Sequence, residues 1–167
     1  ATSEGEGKGS TFIVSLPVVA VRQEEAGGER IHPGSAVTND AVSVNGVTLE
    51  GVKILVVDDE KDAREVIRRL LASARAEVVT AASAAEAIEI IQEARPDVLV
   101  SDIGMPGQDG YELIRRVRML GGGVGSTKAV ALTAFARLED RTRAMLAGYQ
   151  MHLAKPVEPS ELIVTVA

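Results

Sequence analysis

From residue 52 onward the chain alternates short apolar runs with amphipathic stretches, five times without a break. No other feature restricts the possible folds as much. A run that is apolar at every position, such as Ile54–Val57 or Val98–Val100, suits a strand covered on both faces. Ala63, Val66, Ile67, Leu70, Leu71 and Ala74 recur at the spacing of one helical face, with Asp62 and Glu65 placed as N-cap and N3 partner. Glu77–Ala81 reads as a second strand. Ser83–Glu86 is a capping box, and Ala84, Ala87, Ile88 and Ile91 form the helix face behind it, up to Pro96. Asp109–Glu112 opens a third helix, with Leu113, Ile114, Val117 and Leu120 inward and Gly121–Gly123 closing it. Ala129–Leu132 is a fourth strand and Leu138–Ala147 a fourth helix, with Gly148 just past its end. Met151–Ala154 is a fifth strand, and Pro159 starts a last helix carrying Leu162, Ile163 and Val166.

A closed barrel would need about eight such units. Five predict an α/β fold: an open, doubly wound parallel sheet with right-handed crossovers and helices on both faces. Its ligand site is then expected outside the carboxyl ends of the strands. Aromatic residues are only 2% of the chain, so the core has to be built from Val, Ile, Leu and Ala.

Residues 1–51 differ. They are rich in Gly, Ser and Val, lack a helical period, and set Glu4, Glu6, Glu24, Glu25, Glu29, Asp40 and Glu50 against Lys8, Arg22 and Arg30. The boundary is placed at 50–52. Val42–Leu49 alternates around Asn45-Gly46 and predicts a small hairpin. A lone hairpin is marginal in water, so residues 1–50 are expected to be mobile or packed opportunistically.

Composition removes several classes of function. With no cysteine among 167 residues there is no disulfide, thiolate nucleophile or cysteine-held zinc, and a reducing cytoplasm fits. A net charge of −6 offers no electrostatic case for nucleic acid. No apolar run approaches the ~20 residues of a membrane span. The longest, Ile13–Val21, is interrupted by Ser15 and Pro17, and no basic segment precedes it as in a signal peptide.

Polar residues gather where the strands end. Asp58, Asp59 and Glu60 follow the first, Asp102 the third, Thr133 the fourth and Lys155 the fifth. In an open sheet these ends meet in one crevice. Carboxylates so placed repel one another, and a hard divalent cation relieves the repulsion. Mg²⁺ favours one or two carboxylates, waters and a phosphate oxygen. A carboxylate can also act as a nucleophile toward phosphorus, with cation, ammonium and hydroxyl neutralising the transferred oxygens. Taken singly, each residue also has a plainer reading. Asp58 and Asp59 would cap the following helix, Asp102 would start a turn before Pro106, Thr133 would end a strand, and Lys155 would be a surface lysine. Arg115, Arg116 and Arg118 read as a solvated helix face, and Tyr111 and Tyr149 as packing.

Val56-Val-Asp-Asp-Glu60, Asp102-Ile-Gly-Met-Pro106 with Asp109-Gly110, Leu132-Thr-Ala134 and Lys155-Pro156, in this order, resemble the receiver domain of two-component response regulators over 52–167. The resemblance implies a flavodoxin-like sheet of strand order 2-1-3-4-5. It implies Asp102 as phosphoacceptor, Mg²⁺ held by Asp58, Asp59, Asp102 and the Gly104 carbonyl, and Thr133 with Lys155 as the switch hydroxyl and its ion-pair partner. His152 stands where the family usually carries an inward-turning Tyr or Phe. Gly104 and Phe135 flank the phosphoryl position. The implied partner is the histidine-bearing domain of a histidine kinase or a histidine phosphotransfer protein. A weak homodimer through the fourth helix, fifth strand and fifth helix is a further implication.

Gly7-Lys-Gly-Ser-Thr-Phe-Ile-Val-Ser-Leu-Pro17 is similar to the last hairpin of a histidine-kinase ATPase domain. It lacks the Ser or Thr that a phosphate loop needs after Lys8. The expected organisation is therefore 1–19 as the ATPase remnant, 20–51 as linker and 52–167 as receiver, the C-terminal piece of a hybrid sensor kinase. Such a piece is expected to be cytoplasmic, in a parent that a membrane tether would also suit, to have no direct DNA contact, and to lack the ATP-binding and histidine-bearing parts. Two other readings are set beside it. One is a docking module on the same fold that is never phosphorylated. The other is an Asp-nucleophile phosphatase, disfavoured because Asp58-Asp59-Glu60 is not its Asp-x-Asp pattern.

Overall fold

The computed structural model describes residues 2–3, 5, 10–11, 46–134 and 138–167. Two units divide the chain, Ala1–Ala36 and Val37–Ala167. In the first, β1 (Thr2–Ser3) and β2 (Ser10–Thr11) pair antiparallel, Thr2 opposite Thr11. Val42–Asn45 of the predicted small hairpin lie outside the described residues, and Gly46–Leu49 form no strand.

In the second unit each apolar run is a strand and each amphipathic stretch a helix. The order is β3 (Lys53–Val57), α1 (Lys61–Ser73), β4 (Glu77–Ala81), α2 (Ala84–Ala94) and β5 (Val98–Asp102). There follow α3 (Gly110–Arg118), a 3₁₀ turn at Val124–Ser126, β6 (Lys128–Thr133), α4 (Leu138–Ala147), β7 (Met151–Ala154) and α5 (Pro159–Val166). The sheet runs β4-β3-β5-β6-β7 with every pair parallel, which is the doubly wound order 2-1-3-4-5.

Side chains of a strand alternate between faces, so each strand feeds two cores. Leu55, Val57, Leu99, Ala129 and Ala131 pack under α2, α3 and α4 with Ile91, Leu113, Ile114, Val117 and Ala144. Ile54, Val56, Val100, Val130, Leu132 and Leu153 pack on the other side with Ile67, Leu71, Leu162 and Ile163 of α1 and α5. Burying each such Val, Leu or Ile is worth about 1.5–3 kcal/mol. The second core also takes Leu49, from the stretch expected to be mobile or opportunistically packed. Leu49 is fully buried and its N–H donates to the Ala74 carbonyl at 2.8 Å. The packing thus begins ahead of residue 50, because Leu49 closes the open end of that core.

Local signals explain most helix ends. Ser83 Oγ accepts from the Glu86 N–H at 3.2 Å, and the Glu86 carboxylate accepts from the Ala82 N–H at 2.7 Å. Arg95 leaves α2 in the left-handed region at φ 46, ahead of Pro96. Asp109 caps α3 through the Glu112 N–H at 2.8 Å, and Pro159 opens α5. The start of α1 departs from the sequence reading. Glu60, not Asp62, is its N-cap and makes no side-chain cap, while Glu65 pairs with Arg68 at 2.7 Å and Arg69 at 2.6 Å. Val66 is 65% exposed, because α1 buries only the narrower stripe of Ile67 and Leu71.

Arg118 corrects a second expectation. It is no solvated residue: its guanidinium donates to the carbonyls of Gly148 (2.6 and 3.0 Å), Thr127 (2.7 Å) and Gly125 (2.9 Å), and to Gln150 Oε1 (3.1 Å). It binds the end of α3 to the loops leading into β6 and β7. Replacing Arg118 by Met removes the guanidinium donors of the Gly125 and Thr127 carbonyls and leaves Gly148 O to Gln150 Nε2, and urea unfolding followed by circular dichroism is expected to show a loss of about 2–4 kcal/mol.

Candidate functional site

The order of the strands builds the site. After β3 the chain turns back to β4 on one side, and later to β5 on the other. The carboxyl ends of β3 and β5 therefore stand side by side with a crevice above them. Val57 pairs with Ser101, so the next residues, Asp58 and Asp102, come level across that crevice.

Asp58 is fully buried and Asp102 is 8% exposed, whereas Asp59 is exposed. Carboxylate oxygens of Asp58, Asp59 and Asp102 lie within 4.8 Å of one another. Beyond β6, the first residue after β7 is Lys155, whose N–H donates to the Thr133 carbonyl at 2.7 Å. Its side chain crosses the end of β6, and Nζ stands 2.8 Å from Asp58 Oδ2 and 2.9 Å from Asp102 Oδ2. The peptide bond to Pro156 is cis. One ammonium thus bridges two buried carboxylates that would otherwise repel each other. Burial alone lowers the Lys155 pKa, but the hydrogen bonds to Asp58 and Asp102 outweigh it and hold the group above the ordinary lysine value.

Backbone groups fix both acids. Asp58 Oδ1 accepts from the Glu60 N–H at 2.9 Å, which holds the turn into α1. Asp102 Oδ1 accepts from the Gly104 N–H at 3.1 Å. A Cβ at Gly104 would stand 3.8 Å from both Asp102 oxygens, so glycine keeps the approach to that carboxylate clear. The oxygens of three carboxylates are hard donors, and their clustering fits a divalent cation such as Mg²⁺. Thr133 is buried at the end of β6, between the strands bearing Asp102 and Lys155. His152 is not part of the cluster. It lies in β7 opposite Ala131, half-buried. Phe135 lies outside the described residues.

Sequence reasoning missed the support behind Asp102. Ser101 Oγ donates to the Asp102 carbonyl at 2.9 Å, and the buried Tyr149 hydroxyl donates to the Gly110 carbonyl at 2.8 Å. The Gly110 N–H closes the loop onto Ile103 O at 3.0 Å, and a Cβ at Gly110 would fall 2.5 Å from Asp102 O. Arg64 Nη1 donates to Asp58 O at 2.5 Å. The signal for Ser101 was a lone hydroxyl between the apolar run Val98–Val100 and Asp102.

Comparison with known proteins agrees with this geometry. Residues 54–167 match the response regulator receiver domain family, and the chain belongs to it. It is 47% identical over 116 residues to an uncharacterized 14.6 kDa protein of Leptolyngbya boryana, covering 70% of this chain and 88% of that one. It is 38% identical over 112 residues to the response regulator MprA of Mycobacterium ulcerans, covering 67% of this chain but only 47% of MprA. Among solved structures, a putative response regulator from Chloroflexus aurantiacus superposes with a TM-score of 0.65 at 36% identity, over 69% of this chain and 93% of that one. The Vibrio cholerae chemotaxis protein CheY4 gives 0.65 at 34% identity, over 69% and 95%. The chain is therefore a receiver domain of two-component signalling. Among the described residues no helix is long and apolar enough to cross a membrane.

The raised Lys155 pKa has a sign that can be measured. A group charged more readily in the folded state stabilises the fold below its unfolded pKa, and that stability fades as pH climbs through the folded value. In chelator, the stability lead of wild type over Lys155→Met is expected to hold through neutral pH. It should shrink once pH passes 10.5, as read from chemical denaturation at stepped pH.

Proposed function

We propose that this chain accepts a phosphoryl group from a phosphohistidine onto Asp102, in a Mg²⁺-dependent step. The observation that carries the reading is the Lys155 ammonium shared by Asp58 and Asp102 at 2.8 and 2.9 Å, with Asp59 at the open side of the pair. Asp102 is the acid of the cluster that combines near-complete burial with a cleared approach over Gly104.

A carboxylate oxygen of Asp102 attacks phosphorus, the phosphorus–nitrogen bond to the donor imidazole breaks, and the imidazole nitrogen keeps the electron pair and takes a proton. Asp58, Asp59, Asp102 and the Gly104 carbonyl would hold Mg²⁺, which supplies positive charge to the oxygens in transfer. Lys155 turns from a bridge between two carboxylates into a partner of the phosphoryl group. Thr133 donates its hydroxyl to a phosphoryl oxygen, and His152 follows it inward. The output is a shift of the β6–α4–β7 surface, which alters contacts with a kinase or phosphotransfer partner. On the α4–β7–α5 face, exposed Leu146 (85%), Val164 (56%), Met151 (48%) and Met145 (44%) suit a weak homodimer.

The donor is the histidine-bearing domain of a kinase or a histidine phosphotransfer protein. The Gly7–Pro17 motif supports a parent of the hybrid sensor kinase class. On that reading residues 1–19 are its ATPase remnant, 20–51 the linker, and the compartment the bacterial cytoplasm.

Intact mass after incubation with acetyl phosphate tests the reading. Wild type is expected to gain one phosphoryl group with Mg²⁺ and none in chelator, and Asp102→Asn to gain none in either. A folded wild type that gains no mass and also fails to bind beryllofluoride would leave the non-phosphorylated docking module as the better description.

A further inference from the structure

Among the described residues, one buried side-chain nitrogen or oxygen lacks any hydrogen-bond partner: His152 Nε2. Buried polar atoms are nearly always paired, and an orphan destabilises the fold that contains it. The strand geometry says which way this one faces. Leu153 points into the core under α1 and α5, so His152, one residue earlier, points to the opposite side of the sheet. It pairs with Ala131 of β6, which lies in the core under α2, α3 and α4. Thr133, two residues beyond Ala131 on the same strand, shares that face. With strands ~4.8 Å apart and a rise of ~3.3 Å per residue, positions so related on parallel neighbours are about 8 Å apart, within reach of an aromatic-sized side chain.

We propose that His152 Nε2 is a hydrogen-bond donor held for the Thr133 hydroxyl in the phosphorylated state. The inference rests on the acceptor reading of Asp102 given above. Thr133 Oγ1 has one hydrogen to give and lone pairs to accept. When that hydrogen goes to a phosphoryl oxygen, the oxygen of the hydroxyl is left facing inward. His152, with a hydrogen on Nε2, donates to it. The result is a chain from Nε2–H to Oγ1–H to the phosphoryl oxygen, in which each hydrogen bond polarises the next. No proton is transferred. A phenyl ring at this position fills similar space but ends the chain at Thr133. His152 is thus a positioning residue that acts through Thr133, and the resting state carries an unpaired nitrogen that the phosphorylated state satisfies.

The two states make opposite demands, and the test reads both. Thermal unfolding is measured without ligand, and affinity for beryllofluoride with Mg²⁺ is measured by calorimetry. His152→Phe is expected to unfold at a higher temperature than wild type and to bind beryllofluoride about three- to tenfold more weakly. His152→Gln keeps an N–H donor and is expected to bind more tightly than His152→Met, a comparison that stands even if the phenyl variant misfolds. In a Thr133→Ala background, His152→Phe is expected to have no further effect on affinity. Unchanged affinity in His152→Phe, equal affinities of the Gln and Met variants, or an equal loss with and without Thr133 would each overturn the proposal. No binding by folded wild type would instead remove the acceptor reading on which it stands.

Discussion

Asp58 and Asp102 are buried acids whose positions are set by adjacent parallel strands, and neither can move away from the other without breaking the sheet. Two such charges a few ångströms apart, largely out of water, are stable only with a cation between them. Lys155 supplies it in the resting fold. Much of the architecture serves that placement. The strand order makes β3 and β5 neighbours. The backbone bond from Lys155 to Thr133 sets the lysine at the rim, and the side chain has to cross the end of β6 to reach the acids. Because one ammonium serves two carboxylates, charge added at one of them redistributes the whole set. The lysine also ties the two acids to β6 and β7, since it follows β7 directly and its N–H is bonded to the Thr133 carbonyl.

The fold was legible because its signals were redundant. β5 is apolar at its first three positions, α2 carries a box that caps it, and the turns after α2 and α3 hold Pro96 and Gly121–Gly123. Each local preference pointed to the same structure. Errors came where a residue's partner is distant in sequence. Arg118 looks like its neighbours Arg115 and Arg116 on a helical wheel. Only the return of the chain at Gly125, Thr127 and Gly148 turns it into a clamp. Leu49 lies before any periodic segment, and its place in the core depends on the end of α1 meeting it.

The charged cluster itself was readable from strand ends alone, because a parallel sheet gathers the residues that follow its strands. What surrounds it was less so. Ser101 and Tyr149 act on backbone carbonyls, which have no sequence signature. The spacing from Asp62 to Glu65 fits a cap and its partner. In the structure Asp58 holds the preceding turn through the Glu60 N–H, and Glu65 is drawn off by two arginines. The same acid therefore serves the turn and the lysine, and it does not cap α1, whose N-cap Glu60 has no side-chain cap.

The segment from Asp102 to Gly110 is fastened at both ends. The Gly104 N–H returns to the Asp102 carboxylate, the Gly110 N–H to Ile103 O, and the Tyr149 hydroxyl holds the Gly110 carbonyl from behind. With the backbone at Gly110 packed so closely that even a methyl group is excluded, this loop has no slack. Its composition is free to drift at the exposed Pro106 but not at Gly107, whose φ of 82° favours glycine. Diversification at this edge of the molecule is therefore confined to side-chain exchange at the few exposed positions between the two fastened ends.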